Sequence, residues 1–178
     1  GVEQDPLSVL WRGILMGHLV CAGRYEEALL EGQKALDIAE NELHPHTGLG
    51  EAYLAMGRVA EAVASAETAH HNLPQQSMGT GLLAASVARL GDTDRAQALL
   101  REMGDSPTPI WGRAWYHLLC NEIDAAAWWY EKMIVAREMF APVYANSPYT
   151  AELRASPHWA KLARMMNLTV PVGSGRES

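Results

Sequence analysis

The chain has 178 residues, 48% hydrophobic and 20% charged, with one Phe against six Trp and six Tyr, a balance that suits a single soluble domain with a continuous core. Its net charge is −7, concentrated in residues 1–70, where eleven acidic residues face four basic ones. Such a chain is a poor binder of phosphate backbones, which excludes nucleic acid as a direct partner, and no apolar run reaches the roughly 18 residues of a membrane span.

Residues 1–4 are expected to be a tag scar or linker, and the opening Gly1-Val2 suggests a piece of a longer protein. The first helix is predicted to open at Asp5-Pro6, with Asp as the cap and Pro in the first turn. Leu7, Leu10, Ile14, Leu15 and Leu19 then recur at helical spacing, and Gly23 ends the run. A second helix over 25–39 carries Ala28 and Ala35, small residues that let the two helices approach. The hairpin returns over 45–56 and 59–71, setting Leu49, Gly50 and Tyr53 against Ala62, Ala66 and Ala69, and stops at Pro74. A third hairpin packs Leu83, Ala84, Val87, Ala96, Leu100 and Met103, with Gly104-Asp105-Ser106-Pro107 as its exit turn. The fourth packs Ala114, His117, Ala126, Tyr130 and Met133. The hairpins are expected at 6–40, 43–73, 75–104 and 108–138 of one domain covering 5–168.

These hairpins are copies. Gly23-Arg24-Tyr25-Glu26-Glu27-Ala28 returns as Gly57-Arg58-Val59-Ala60-Glu61-Ala62 and as Gly91-Asp92-Thr93-Asp94-Arg95-Ala96, with steps of 34 and 34. Asn121-Glu122-Ile123-Asp124-Ala125-Ala126 follows after 30. Two short helices repeated every 34 residues resemble the tetratricopeptide repeat (TPR) superfamily over about residues 6–138. The second repeat meets the family pattern best, through Leu49, Gly50, Tyr53, Ala62, Ala69 and Pro74. The first departs from it at Met16 and Gly32, the fourth at Asn121 and in its shortened step. The resemblance implies an all-α fold: a right-handed superhelix of about four helical hairpins with C-terminal capping helices.

Past the repeats, 142–148 reads as turns and 150–155 as a short helix. Ser156-Pro157 reads as a cap and first turn, Trp159, Leu162 and Met166 as the apolar face that follows, and Asn167 as the stop. So short a helix is expected to cover the open end of the stack, making 142–168 a cap and 169–178 a disordered tail. Three stretches sharpen the resemblance: Asp5-Pro6-Leu7-Ser8, Glu122-Ile123-Asp124-Ala125-Ala126, and Leu153-Arg154-Ala155-Ser156-Pro157-His158-Trp159. Together they look like the C-terminal TPR region of bacterial multidomain signalling proteins whose N-terminal effector is a nucleotide cyclase, a kinase or a winged-helix regulator.

No catalytic constellation is present: no Gly-rich phosphate loop, no GxSxG and no HExxH. The acids Glu26, Glu27, Asp92 and Asp94 fall at helix starts, where they complement the helix dipole. His44-Pro45-His46 and His70-His71 lack a completing Cys or carboxylate at metal spacing and are read as exposed or capping residues, with His117 a satisfied core histidine. Cys21 and Cys120 are read as packed, inert thiols of a reducing compartment, so the expected setting is cytoplasmic. The chain is expected to be no enzyme and to need no cofactor or metal.

The family register places Gly13, Gly17, Thr47, Glu51, Gly81, Ala85, Arg89, Trp111 and Trp115 on the concave face, the usual ligand face of such arrays. Gly13, Gly17 and Gly48, with Met78 and Leu82, stand where the chaperone-binding subfamily carries Lys, Arg and Asn, so a carboxylate clamp is absent. Trp111 and Trp115 either close a narrow groove of small residues or pack under the C-terminal cap. Trp128 and Trp129 point about 100° apart on a helix, so either one lies at an interface or both are buried against the cap. The expected function is a protein–protein interaction scaffold, a regulatory or assembly module of a signalling system, with a protein or peptide partner or a homodimer. The alternative is a helical sensor of a small molecule or short apolar peptide in the groove.

Overall fold

A computed structural model describes residues 6–40, 43–74, 76–104, 110–138 and 140–168. The cap at Asp5, the leading residues 1–4, the turn at 105–107 and the tail from 169 lie outside the described residues. Four antiparallel hairpins follow one another: α1 (Pro6–Cys21) with α2 (Tyr25–Leu36), α3 (Leu43–Ala55) with α4 (Val59–Asn72), α5 (Ser77–Arg89) with α6 (Thr93–Met103), and α7 (Ile110–Leu119) with α8 (Ile123–Val135). Among the described residues there is no strand.

The repeated glycine has one physical cause. Gly23, Gly57 and Gly91 sit at φ of 73°, 75° and 93°, a left-handed conformation that costs glycine little. Asn121 takes the fourth place at φ 60°, which asparagine tolerates better than most residues. In each turn the following amide reaches back five residues, from Arg24 to Leu19, Arg58 to Tyr53, Asp92 to Val87 and Glu122 to His117, at 2.8–3.0 Å. This bond stops the first helix and aims the second back along it. Asp92 also accepts from the Arg95 amide and caps α6, while Arg24–Glu27 and Arg58–Glu61 form exposed ion pairs at the same place in their repeats.

Helix contacts are made by small residues. Ala28, Ala35, Ala62, Ala66, Ala69, Ala96 and Ala126 are wholly buried. Replacing Ala62 with leucine is therefore expected to cost about 1–3 kcal/mol by overpacking, while the exposed Glu61→Ala changes little; thermal melts of the two variants check this. The tightest contact joins α5 and α7. A Cβ added at Gly81 would lie 2.2 Å from the Gly112 carbonyl oxygen, and one at Gly112 would lie 2.1 Å from that of Ser77. The backbones of the two helices touch, and every residue from Gly79 to Val87 is buried.

The C-terminal segment, read as turns only over 142–148, takes largely 3-10 form there. It forms α9 (Phe140–Val143), two 3-10 turns (Tyr144–Asn146 and Pro148–Thr150), α10 (Ala151–Ala155) and α11 (Trp159–Met165). The last two helices lie on α8 and bury Leu153 and Leu162. Lys161–Glu131 at 2.6 Å and His158–Asp124 at 2.8 Å flank that contact. Ser156 does not cap α11: its hydroxyl donates to the Leu153 carbonyl at 2.7 Å and closes α10 instead, and α11 begins after His158. Asn167 ends α11 at φ 56°.

Candidate interaction site: a concave face closed by its own chain

Side chains from the first helices of three hairpins meet the C-terminal segment. Gly17 and Cys21 come from α1, Glu51 from α3, and Trp111 and Trp115 from α7. The two tryptophans, one helical turn apart, stack with ring centres 5.2 Å apart and 14° between planes. Tyr144 packs edge-on against both, at 5.3 and 4.7 Å, and Tyr149 against Trp115 at 5.5 Å. Tyr144 and Tyr149 thus cover Trp111 and Trp115.

Glu51 is the chemical centre of this contact. It is 2% exposed, and burial pushes its carboxyl up to about 8, so it is largely neutral at pH 7. The Trp115 indole N–H and the Tyr144 hydroxyl face the carboxyl and hold its pKa below what burial alone would give. Tyr144 donates a hydrogen bond to it, whereas the Trp115 nitrogen, also buried, meets no acceptor at hydrogen-bonding geometry. The Tyr149 hydroxyl donates to the backbone carbonyl of the same Glu51. Burial and then the neighbouring Glu51 push the Cys21 thiol up to about 11, while the Ser147 hydroxyl bonded to it pulls the other way. Cys120, beside Tyr116, is likewise raised to about 11, first by burial. Neither thiol is poised as a nucleophile at neutral pH.

The residues assigned to the groove divide into three groups. Gly17, Glu51, Trp111 and Trp115 come together under the tyrosines, and a Cβ on Gly17 would lie 3.2 Å from the Tyr144 hydroxyl. Gly13 and Gly81 serve helix crossings, since a Cβ at Gly13 would lie 2.7 Å from His44 of α3 and Gly81 abuts Gly112. Thr47 is buried, its hydroxyl on the His44 carbonyl at 3.0 Å; Ala85 is buried and Arg89 is exposed at the end of α5. The interface pair separates as well: Trp128 is 53% exposed beneath the Lys132 ammonium, and Trp129 lies half-buried against the Arg113 guanidinium.

Sequence reasoning missed Tyr144, Ser147 and Tyr149. The available signal was two tyrosines five apart around a Ser-Pro turn. The histidines are spread out. His46 bonds the Glu40 carbonyl, His70 the Thr80 hydroxyl, and His117 the Glu122 carboxylate at 2.6 Å. Among the described residues no three His, Cys, Asp or Glu side chains gather as a metal site, and no helix is long and apolar enough to cross a membrane.

Residues 43–68 and 78–102 match the tetratricopeptide repeat family, covering α3 with most of α4 and most of α5 with α6. No curated protein matches the sequence. Among solved structures, a tetratricopeptide repeat protein from Parabacteroides merdae ATCC 43184 is similar in fold, with a TM-score of 0.52 at 15% identity. The likeness covers 92% of this chain and 60% of that one. Repeats of this kind generally mediate protein–protein interaction and generally act as non-catalytic scaffolds. The chain carries tetratricopeptide repeats at residues 43–68 and 78–102, within four antiparallel helical hairpins followed by further helices on α8.

Proposed function

We propose that this chain is a non-catalytic scaffold that binds protein, serving as a regulatory or assembly module of a larger bacterial signalling system in the cytoplasm. The observation that carries the reading is where its aromatic surface lies. Trp111 and Trp115 are buried against Tyr144, while Trp11 and Trp128 stand 64% and 53% exposed. Leu10 and Leu15 accompany Trp11 on α1, and Val135 follows Trp128 on α8. Exposed tryptophan flanked by aliphatic side chains is the composition of protein interfaces. The space a small molecule would need between Trp111, Trp115 and Gly17 is taken by Tyr144.

Photo-cross-linking from positions 11 and 128, in the cells that make the protein, tests this. Links to other proteins are expected from one or both positions; no protein link from either would sink the reading. If α8 joins two copies, light scattering shows a dimer that Trp128→Ala converts to a monomer, with stability changed by no more than about 0.5 kcal/mol because the side chain is exposed. Trp129→Ala is expected instead to lower the melting temperature, through lost packing and the lost Arg113 contact.

A further inference from the structure

We propose that residues 140–150 form a displaceable strap, a built-in occupant of the concave face that a partner's tyrosine-bearing segment replaces. Four features point to it. First, the strap is a self-contained unit. The Thr150 hydroxyl lies 2.9–3.1 Å from the carbonyls of Tyr144, Ala145 and Ser147. The Tyr149 amide bonds the Ser147 hydroxyl. These bonds travel with the strap when it lifts.

Second, its polar ties are made by side chains. They include the Tyr144 hydroxyl on the Glu51 carboxyl, the Tyr149 hydroxyl on the Glu51 carbonyl, Ser147 on Cys21, Tyr130 on the Ala141 carbonyl, and Arg154 of α10 on the Ala145 and Ser147 carbonyls. None belongs to a helix ladder, so opening leaves the repeats' backbone bonds intact. Third, both ends are anchored elsewhere. One follows the exposed turn after α8, where Arg137 stands at φ 58°, and the other enters α10 and α11 on the flank of α8. The middle rises when Arg154 of α10 releases the Ala145 and Ser147 carbonyls, while its ends stay fixed.

Fourth, the floor states what it accepts. The stacked tryptophans take an aromatic edge, and Glu51 takes a neutral hydroxyl donor. A terminal carboxylate or a phosphorylated tyrosine would set negative charge against a buried carboxyl in a dry site. The occupant is an unmodified tyrosine on an irregular segment, as Tyr144 is.

The test uses the full chain and a fluorescein-labelled peptide of sequence FAPVYANSPYTA, residues 140–151. Tyr144→Ala is the probe variant, because it empties the seat beside Trp111, Trp115 and Glu51 that the peptide's tyrosine would take. The variant is expected to bind the peptide at least about ten-fold more tightly than wild type, and the peptide carrying phosphotyrosine at position 144 is expected to bind neither. A natively folded Tyr144→Ala with no gain in binding overturns the proposal. If that variant does not fold, Tyr144→Phe, which gives up the hydroxyl's bond to Glu51 and keeps the ring, decides instead: the same gain is expected, and its absence overturns the proposal. A strap that never opens leaves the reading from Trp11 and Trp128 standing, because cross-linking from those positions does not depend on it.

Discussion

Replacing Gly81 with alanine is expected to destabilise the chain by about 3 kcal/mol, although alanine's helix propensity alone would stabilise it by roughly 1 kcal/mol. The sign follows from what the new methyl meets. At Gly81 it would lie 2.2 Å from the Gly112 carbonyl oxygen, a backbone atom of a packed helix that moves only if α5 and α7 separate. Gly112→Ala should behave alike, since its Cβ would lie 2.1 Å from the Ser77 carbonyl oxygen. Gly50→Ala is the graded control. There the nearest atom is Leu82 Cδ2 at 2.7 Å, the far end of a side chain that can turn, so a smaller loss is expected. For a chain of this size, 3 kcal/mol lowers the melting temperature by roughly 6–12 °C. A Gly81→Ala variant that melts at or above wild type would mean that the two helices are not in backbone contact.

The second large effect is a stability that falls as pH rises. The Glu51 carboxyl ionises near 4.5 in the open chain and near 8 in the fold, so between those values the folded protein holds a proton that the unfolded chain releases. Its contribution is fully present below about pH 4.5, declines through neutrality and is gone above about pH 8. The span corresponds to roughly 4–5 kcal/mol at most. Glu51→Gln keeps the shape and removes the proton. Urea titrations are expected to show the variant more stable than wild type by several kcal/mol at pH 9 and within about 1 kcal/mol of it at pH 4.5. Glu27, Glu31 and Glu61, whose pKa values are lowered by hydrogen bonds to Arg24, to Lys34 and Arg12, and to Arg58, add an opposite slope to both proteins and cancel in the difference. A pH-independent difference between the two would show that Glu51 is hydrated.

The scaffold was legible because its rules are local. A left-handed position favours Gly or Asn, and a helix crossing favours a small residue, so Gly23, Gly57, Gly91, Asn121, Ala62 and Ala96 announce hairpins without knowledge of the rest. The inner face was not legible in the same way. Register says which residues point inward, but not what covers them. Gly81 and Glu51 were both read as groove positions. One proves to be where two helices touch, and the other lies under tyrosines far along the chain. Those tyrosines sit in 3-10 turns with no period to betray them. Ser156 misled for a related reason: Ser-Pro is a common helix opening, yet here the hydroxyl found a nearer carbonyl, that of Leu153.

Contact between Tyr149 and Glu51 joins residues 98 positions apart. In a plain solenoid each unit touches only its neighbours, so stability is a sum along a line and the ends fray first. Here the far end is tied back to the second unit, and the line becomes a ring that encloses the third hairpin. Opening any one unit in that ring strains the tie. The chain should accordingly melt in one transition rather than unravel from its ends. A unit inserted between the second and fourth would lengthen the arc and pull the tyrosines off their seat, so this array, unlike an open one, has a fixed number of repeats written into its closure.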